Sequence, residues 1–480
     1  MKKIAFLLLV SLALTSNLWA QDDAFGDFDL GTGSDDTSLD ISDVDTSTTK
    51  ASGHQFYGFF KEEVGYAPNR DEFQIAKIKT TVNLTYDIKF DGDWKTKMNV
   101  AGFYDAAYGY NGSENYTTEL IDSLESEFEA KDFYLEGPLA DWLHIRAGRQ
   151  VVAWGQSEAA QINDLVNPRD NRELGMVDLE DARLPVTATK LVATSGTWEF
   201  NLVAMHEFRA NKRPAEGSEF DFYAALRDQG AVILESETPE SVEQEYLLRV
   251  YKSYNGGNFS VFYGDVYTDN PTLAFYSYNA ATSTMTLKPT YEKIKSIGVS
   301  GNQVWGSWLL RVEAAKKSGV PQMRSDSATQ LQTGIASVAT PSDYIYTADL
   351  GLVESYSKKD LLQFALGLEY SGITDLSISL EGAVDQIQDY ETNLQAEEVS
   401  GVTTMMVSHS ALNDNLTTRV LWFHFTGSNG EVVRLTTDYN ILDGVSIGGG
   451  AVEYSATETD ALLYPFKDND RVFINGKYSF

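Results

Sequence analysis

Long stretches of the chain alternate between polar and apolar residues. In residues 73–90, Ile78, Val82 and the later even-numbered positions are apolar, whereas Lys77, Lys79 and the later odd-numbered positions are polar. Because successive side chains of a β-strand point to opposite faces, this period of two predicts a strand with one apolar and one polar face. The same alternation recurs in residues 95–108, 308–314, 362–370, 376–384 and 433–439. The chain is therefore predicted to be rich in long strands.

The connections between these strands alternate in length. Tight turns are predicted near residues 91–93, 137–141, 195–197, 256–257, 305–307, 371–374, 413–416 and 442–444. Long polar stretches lie near residues 111–126, 155–186, 211–243, 271–289, 319–357 and 456–469. Short turns at one rim and long loops at the other are typical of outer-membrane β-barrels. Trp94, Trp142, Trp198 and Trp308 each follow a tight turn, as expected for one interfacial aromatic belt.

The predicted fold class is all-β: a transmembrane antiparallel β-barrel of about 18 strands, with 16 as the alternative, and an inward-folded loop. A soluble sandwich shows the same alternation, but strands of about ten or more residues suit a tilted crossing of a bilayer. Hydrocarbon cannot satisfy backbone N–H and C=O groups, so a spanning sheet must close. A barrel of this size encloses a water-filled lumen unless loops fill it. Residues 343–357 and 401–411 are ambiguous between strand and loop.

The N-terminal part of the chain carries an export pattern. Residues 1–20 contain Lys2, Lys3 and a short apolar run, which predict a secretory signal peptide. Residues 21–50 hold nine Asp and one Lys and predict a disordered periplasmic leader. Three interpretations of this leader are open: it docks a periplasmic partner, it folds back to plug the pore, or it is a solvated tail. Residues 51–480 form the predicted barrel.

The last ten residues alternate and end on an aromatic side chain. Val472, Ile474, Tyr478 and Phe480 share one face of the predicted strand. The segment resembles the terminal signal strand of Gram-negative outer-membrane proteins, which the barrel-assembly machinery reads. The resemblance implies that Tyr478 and Phe480 form an assembly signal. The alternative is an ordinary edge strand that ends in Phe.

Charge and composition narrow the function. The chain has 70 acidic and 37 basic residues and a net charge of -33, so no nucleic-acid partner is predicted. It has no Cys, which excludes thiolate metal sites and Cys nucleophiles. His54, His144, His206, His409 and His424 lie in no nucleophile motif, so neither an enzyme nor a cofactor is predicted. The acidic loops can attract Ca²⁺ or Mg²⁺ that bridges lipopolysaccharide, although an acidic proteome explains the same charge.

Residues 146–186 combine charged groups with an apolar loop. In strand phase, Arg146 and Trp154 face the lumen, whereas Arg149 faces lipid, where a charge costs about 2–4 kcal/mol at the midplane. Either Gly148 forms a bulge that turns Arg149 inward, which is the preferred interpretation, or Arg149 lies near a rim. The predicted pore and constriction residues are Arg146, Arg149, Gln150, Trp154, Arg169, Asp170, Arg172, Asp181 and Arg183.

Residues 155–186 are too long and too apolar for an idle surface loop. Ile162, Val166, Leu174 and similar residues would be poorly placed in water, so the loop is predicted to fold inward and narrow the pore. A short helix is predicted over residues 158–165, and the arginines of the loop are expected to pair with its carboxylates. The loop is either a constriction or gate, or a strut that these pairs lock in place.

Several motifs in this segment resemble one family. They are Gly148-Arg149-Gln150, Trp154-Gly155, Val166-Asn167-Pro168-Arg169-Asp170 and Leu184-Pro185. Together they resemble the signature of an uncharacterised porin-like family of Gram-negative outer-membrane proteins. That family is often associated with RND-type exporters and with handling of lipids or other hydrophobic molecules. The resemblance implies a transport role, and residues 21–50 are the candidate contact for an exporter or a periplasmic partner.

Further charged residues lie on the predicted lumen face. They are Lys77, Lys79, Arg311, Glu369, Glu381, Asp385, Arg434 and Asp438. Early strands are richer in basic residues and late strands in acidic ones, which predicts a transverse field across the lumen. The alternative is that these charges brace the wall.

The favoured function is passive passage of small polar or ionic solutes through an outer-membrane channel. The alternative is a conduit for hydrophobic, lipid-like compounds, coupled to an RND-type exporter or a periplasmic carrier. The expected partners are outer-membrane lipid, lipopolysaccharide and the barrel-assembly machinery.

Overall fold

The structure is a computed structural model that describes most of the chain from residue 53 onward. The described ranges are 53–157, 162–176, 182–235, 238–239, 242–337, 345–351, 353–426, 430–459 and 461–480. The predicted signal peptide and the acidic leader lie outside the described residues. So do residues 158–161 and 177–181, which include Asp181.

The described strands, numbered in chain order, form one large sheet and one small sheet. Eighteen of them make the large sheet, in which neighbours in the chain pair antiparallel and β1 also pairs with β22. The pairing therefore closes into a barrel of 18 strands, the predicted number. The barrel strands are β1 (His54–Tyr66), β2 (Ile75–Lys89), β3 (Lys95–Asp105), β4 (Ser126–Ala140), β5 (Leu143–Gln150), β6 (Val186–Ser195), β7 (Trp198–Met205), β9 (Glu245–Tyr254), β10 (Gly257–Tyr267), β13 (Lys293–Trp305), β14 (Trp308–Met323), β16 (Tyr356–Ile373), β17 (Leu376–Ile387), β18 (Val399–Ala411), β19 (Leu416–Thr426), β20 (Gly430–Leu442), β21 (Val445–Ala456) and β22 (Arg471–Ser479).

The remaining elements lie in the long connections. The small sheet contains β8 (Val232–Ile233), β11 (Thr272–Asn279), β12 (Thr284–Thr290) and β15 (Ile345–Thr347). The helices are α1 (Ala107–Tyr110), α2 (Thr118–Leu124), α3 (Ala224–Asp228) and α4 (Ser327–Ser337), with short 3-10 turns at Asp91–Asp93, Ser113–Asn115, Ala348–Leu350 and Tyr464–Phe466. No helix among the described residues is long and apolar enough to cross a membrane.

Both ambiguous segments have a place in this fold. Residues 401–411 belong to barrel strand β18. Residues 343–357 do not form a barrel crossing, because β15 joins the small sheet and β16 begins only at Tyr356.

The two rims of the barrel differ as the spacing predicted. Eight tight turns join strand pairs at the short-turn rim, near the eight predicted positions. Trp142, Trp198 and Trp308 lie at this rim with exposed side chains, and Trp305 adds a fourth exposed indole there. Trp94 is at the same rim but packs against Gly137. The opposite, long-loop rim carries all the extended connections.

The two faces of the wall also differ in polarity. In β1, Phe56, Phe60 and Val64 point outward and are at least 42% exposed. Their neighbours Lys61 and Glu63 point inward and form an ion pair. An apolar exterior around a closed hydrogen-bonded wall is what a bilayer requires, so the protein is a transmembrane β-barrel.

The C-terminal residue closes the barrel. The amide of Phe480 donates to the carbonyl of Gly58, and the amide of Gly58 donates to the carbonyl of Phe480, both at 3.0 Å. The Phe480 ring contacts the rings of Phe56 and Phe60 on β1, each at 5.9 Å between centroids. The last residue thus contributes both backbone pairing and aromatic packing to the seam.

Candidate functional site

The candidate site is the described part of the connection between β5 and β6, residues 151–157, 162–176 and 182–185, called here the inward loop. Its base is held by Asn167, whose Oδ1 accepts from the Val152 amide at 2.6 Å. The Nδ2 of Asn167 donates to the carbonyl of Leu184 at 2.8 Å and to that of Gln150 at 3.3 Å. One amide side chain therefore ties together the start, the middle and the end of the loop. The Asn-Pro motif has a structural role at this position.

A buried carboxylate reinforces the same base. Asp164 Oδ2 accepts from Arg183 Nε at 2.9 Å and lies 3.6 Å from Arg169 Nη2. Asp164 Oδ1 accepts from the Trp154 amide at 3.2 Å. A buried carboxylate is stable when it is paired and hydrogen-bonded, and both conditions hold here. Residues 162–165 are not helical, so the described part of the predicted helix is wrong.

The loop then crosses the lumen to the wall formed by β14. Glu313 Oε1 accepts from the amides of Gln156 and Ser157, and its Oε2 accepts from the amide of Asn163 at 3.2 Å. Glu313 is 1% exposed. Both oxygens accept from loop amides, so this carboxylate anchors the loop on the far wall.

Neighbouring wall residues complete this anchor. Ser157 Oγ donates to Glu381 on β17, and Asn302 on β13 donates to the side-chain oxygen of Gln156 at 2.6 Å. Asn163 lies directly over Gly298, where even a Cβ atom would collide with its side chain. The far wall is therefore shaped for close approach of the loop.

The returning arm of the loop binds the opposite side of the barrel. Arg172 holds Asp170 with two hydrogen bonds, at 2.9 and 2.5 Å, and reaches Glu127 on β4 at 2.7 Å. Glu173 accepts from Lys77 on β2 at distances of 2.8–3.0 Å. Lys77 and Lys79 beside it lower the pKa of the Glu173 carboxyl against the effect of burial. The loop is thus tied to two separate parts of the wall.

Apolar packing covers the face of the loop that meets the wall. Trp154 is 1% exposed and Val166 is 1% exposed, and both pack with inward-facing wall residues such as Val203 and Leu247. A second set, called here the apolar cluster, lies on the late strands and under the loops. It contains Ile162, Leu174, Phe220, Ala315, Ala365, Ala383, Val402, Leu421, Phe423, Phe425, Val432, Val452, Tyr454, Leu462, Leu463, Phe466 and Phe473. Each large apolar side chain buried in this way contributes about 1.5–3 kcal/mol.

Two of the predicted constriction residues lie away from the loop anchor. Arg146 donates to Glu136 of β4 at 2.5 Å, nearer the short-turn rim. Arg149 pairs with Glu129 at 3.1 Å and Glu207 at 2.7 Å near the long-loop end of β5. Pairing of β5 with both neighbours continues through Gly148 without a register shift, so the preferred bulge is wrong and the rim position is correct. Gly148 has a φ of 130°, where a side chain would be strained and would collide with the wall.

The remaining predicted charges sit on the lumen face but act at different places. Lys77 and Lys79 meet the inward loop, whereas Arg311 pairs with Glu369 at 2.6 Å along the wall. Further lumen positions are occupied by Glu381 beneath the loop, Asp385 beside Gln363, Arg434 over Phe473, and Asp438 on β20. Glu63, Asp132 and Glu136 share the early strands with the lysines, so the predicted basic side of the lumen also carries carboxylates.

The inward loop fills one side of the lumen and leaves the other side accessible. From β6 to β17, most inward-facing side chains are buried, for example Ser296 and Ser300 at 2% exposure. On the lumen face of β18–β22 and β1–β5, the half nearer the short-turn rim keeps partly exposed side chains such as Thr81 and Lys477. This accessible strip is called here the open wall.

The sequence patterns did not predict two features of the site. Glu313 lies two residues after Arg311 on β14, so the two side chains point to the same face. The alternation that placed Arg311 in the lumen could therefore have placed Glu313 there too. A second connection, residues 206–244, also folds over the lumen: Phe220 is fully buried and Glu219 contacts Arg471. The apolar residues around Phe220, within a stretch read as polar, were the overlooked signal.

Within the described residues, no group of three His, Asp or Glu side chains is arranged to hold a metal ion.

Replacing Gly298 with Val will push the inward loop off the far wall. The new side chain overlaps Asn163, and overpacking of this kind costs about 1–3 kcal/mol. We expect a larger and noisier single-channel conductance in planar bilayers. Gly382→Val is the control, because nothing lies within 4 Å of that position. An unchanged conductance for Gly298→Val would show that the loop does not rest there.

Acid will release the returning arm of the inward loop. Arg172 holds the pKa of Asp170 at about 2, below the ordinary value of 3.8 for an aspartate. The pair therefore contributes about 2 kcal/mol, fully present above pH about 4 and lost as the pH falls towards 2. We expect conductance to rise over this pH interval and to rise less in Asp170→Asn. Identical titrations for both proteins would contradict this role.

The chain was compared with known proteins. A family model described as a protein of unknown function (DUF1302) matches residues 69–480. No curated protein matches the sequence.

Among solved structures, the chain is similar to OccAB1 of Acinetobacter baumannii, with 8% identity and a TM-score of 0.49 over 89% of this chain and 96% of that one. It is similar to OccAB3 of Acinetobacter baumannii, with 8% identity and a TM-score of 0.48 over 89% and 99% of the two chains. It is also similar to the outer membrane protein OpdK of Pseudomonas aeruginosa, with 8% identity and a TM-score of 0.47 over 89% and 98%.

The barrel itself gives the location. A closed antiparallel wall, an outward apolar band and an aromatic belt at the short-turn rim are features of Gram-negative outer-membrane proteins. The protein is an outer-membrane β-barrel with a porin-like architecture.

Proposed function

Because this chain belongs to the family of proteins of unknown function DUF1302, we propose its function from its own geometry: a passive outer-membrane channel for small polar or ionic solutes. The observation that carries the proposal is the open wall. The inward loop occupies the β6–β17 side of the lumen, while charged and polar side chains remain accessible on the other side. A narrow aqueous path bordered by charges favours small hydrated solutes.

Electrical recording tests this proposal directly. Purified protein added to planar bilayers in KCl will give stepwise increases in conductance. The heat-denatured protein is the control, because it lacks the closed wall. A folded barrel that produces no conductance steps over many insertions would overturn the proposal.

A second candidate function is a conduit for hydrophobic compounds, working with an RND-type exporter or a periplasmic carrier. The apolar cluster favours it, because residues such as Leu421, Phe423 and Val432 face the lumen. If the loops move, these side chains offer an apolar surface to a passing molecule. The acidic leader, residues 21–50, is the proposed contact for the periplasmic partner.

Two variants separate the second candidate from the first. Deleting residues 21–50 will reduce recovery of the partner in pull-downs and slow export of a hydrophobic dye, while KCl conductance stays the same. Phe423→Ser will slow dye passage for lack of apolar surface. Unchanged dye passage in both variants would count against the conduit.

We also propose lipopolysaccharide as a partner at the long-loop rim, with Ca²⁺ or Mg²⁺ bridging the acidic loops. The negative charge of the chain supports an attraction for divalent cations. Thermal unfolding in lipopolysaccharide-containing vesicles, with and without EDTA, tests it. A transition that EDTA does not shift would contradict the bridge.

A further inference from the structure

Three pairs of basic residues lie directly opposite one another on the lumen side of adjacent strands. Lys61 faces Lys477 across β1 and β22, and Lys89 faces Lys95 across β2 and β3. Arg146 faces Lys190 across β5 and β6. These six residues are called here the cation arc. Lys190 is 8% exposed and borders the open wall, whereas the other five residues lie on its strands.

Repulsion between the opposed basic residues destabilises the barrel unless an anion lies beside them. Like charges directly opposite on a sheet are destabilising. The chain has nearly twice as many acidic as basic residues, yet no two carboxylates face each other in the described barrel pairings. Three opposed basic pairs in so acidic a chain therefore indicate a surface arranged for negative charge.

Two carboxylates lie beside the arc. Glu136 accepts from both Lys95, at 2.8 Å, and Arg146, at 2.5 Å. Glu63 lies 3.3 Å from Lys61 but also 3.4 Å from Lys77. Each carboxylate is thus shared between two cations.

Aromatic rings accompany two of the cations. The Lys477 ammonium lies 4.4 Å from the centre of the Phe59 ring, and the Arg146 guanidinium lies 4.6 Å from that of Tyr134. Both rings are partly exposed on the lumen side. Tyr57, on the same face of β1, is 40% exposed. A solute that carries both an anionic group and a flat apolar body can therefore meet a cation and a ring together.

We propose that the cation arc binds small organic anions with an aromatic body, of the arene carboxylate class, as they pass the open wall. The inference rests on the proposed function, because it identifies the solute class of the channel. The carboxylate is attracted by the opposed cations, and the ring packs against Phe59 or Tyr134. Edge-to-face and offset ring contacts add about 0.5–1.5 kcal/mol, which corresponds to a roughly two- to tenfold preference over an anion without a ring.

Ion selectivity and block by benzoate test the inference. In a KCl gradient, the wild-type channel will select Cl⁻ over K⁺, and Lys61→Gln/Lys477→Gln will lose most of that selectivity. Benzoate will reduce the KCl current at about fivefold lower concentration than acetate. Phe59→Leu will remove the difference between the two anions while Cl⁻ selectivity is retained. Benzylammonium, with the same ring and the opposite charge, will not block.

Lys252→Gln is the matched control. Lys252 lies at the same rim but on the lipid side of the wall, where it stacks on Trp198 at 4.7 Å. The Lys252→Gln substitution removes one lysine without changing the lumen. Chloride selectivity and block by benzoate will therefore stay at wild-type values. Equal benzoate and acetate block in the wild type, or unchanged selectivity in the double variant, would overturn the inference.

Calorimetric titration of benzoate into the detergent-solubilised barrel separates the inference from the proposed function. If the wild type conducts ions but benzoate neither binds nor blocks it, the proposed channel function is supported and the proposed binding site is wrong. If the wild type binds benzoate but never conducts, and the double variant does not bind benzoate, the proposed binding site is supported and the proposed passive channel is wrong. Absence of both binding and conductance would overturn both.

Discussion

Glu313→Gln will raise the single-channel conductance, because it releases the inward loop from the far wall. The carboxylate uses both oxygens, and both accept from loop amides. In glutamine one of these oxygens becomes an amide group that presents donors to other donors. At least one set of hydrogen bonds to the loop is then lost and replaced by repulsion.

The expected size of this effect is large. Leaving a buried hydrogen-bonding group without its partner costs about 1–3 kcal/mol, which changes the ratio of docked to undocked loop by roughly five- to a hundredfold. The undocked loop no longer fills the β6–β17 side, so the water-filled cross-section grows. We expect larger conductance steps and added gating noise in planar bilayers.

Glu369→Gln is the control for this substitution. Glu369 also lies on the lumen face, but it pairs with Arg311 and Ser377 of the wall and makes none of the loop contacts described above. Its effect on conductance will be small. If Glu313→Gln folds normally and keeps wild-type conductance, the anchor role of this carboxylate is wrong.

Removing Phe480 will strongly reduce the amount of folded barrel in the outer membrane. The deletion removes the two backbone hydrogen bonds to Gly58 and the ring contacts to Phe56 and Phe60. It also removes the end of the strand that the assembly machinery is proposed to read. We expect about a tenfold loss of heat-modifiable protein in cells, consistent with a few kcal/mol lost at the closing seam.

Refolding into detergent separates recognition from closure. If Phe480 acts mainly as a signal, the deleted protein will refold in vitro nearly as well as the wild type. If Phe480 acts mainly by closing the seam, the deletion will impair both assembly in cells and refolding into detergent. Tyr110→Ala, in a loop and 71% exposed, is the control with one aromatic side chain fewer. Wild-type levels of the deletion variant in cells would contradict both roles.

The barrel was predictable because alternation and turn spacing are local signals. The even and odd positions of residues 77–90 lie on the two faces that the period of two assigned to them. All eight tight turns were located, since turns carry their own residue preferences. Short connections such as residues 67–74 and 388–398 were missed because they resemble continued strand.

The candidate site was only partly predictable, because its partners are distant in sequence. Pairing of Arg183 with Asp164 and of Arg172 with Asp170 follows from composition within one loop. The contact of Asn163 with Glu313 spans 150 residues, and no pattern in either segment specifies it. The position of Gly148 was misjudged for a related reason, since a positive φ leaves strand register intact and is invisible to phase counting.

The central claim is that the inward loop covers one side of the lumen and leaves an accessible path on the other. The chain has no native Cys, so single cysteines can report access to water. Thr81→Cys on the open wall will react rapidly with a charged thiol reagent and change the channel current. Ser300→Cys beneath the loop will stay unreactive, and it will become reactive when combined with Glu313→Gln. Equal reaction rates for Thr81→Cys and Ser300→Cys in the otherwise native barrel would contradict the account.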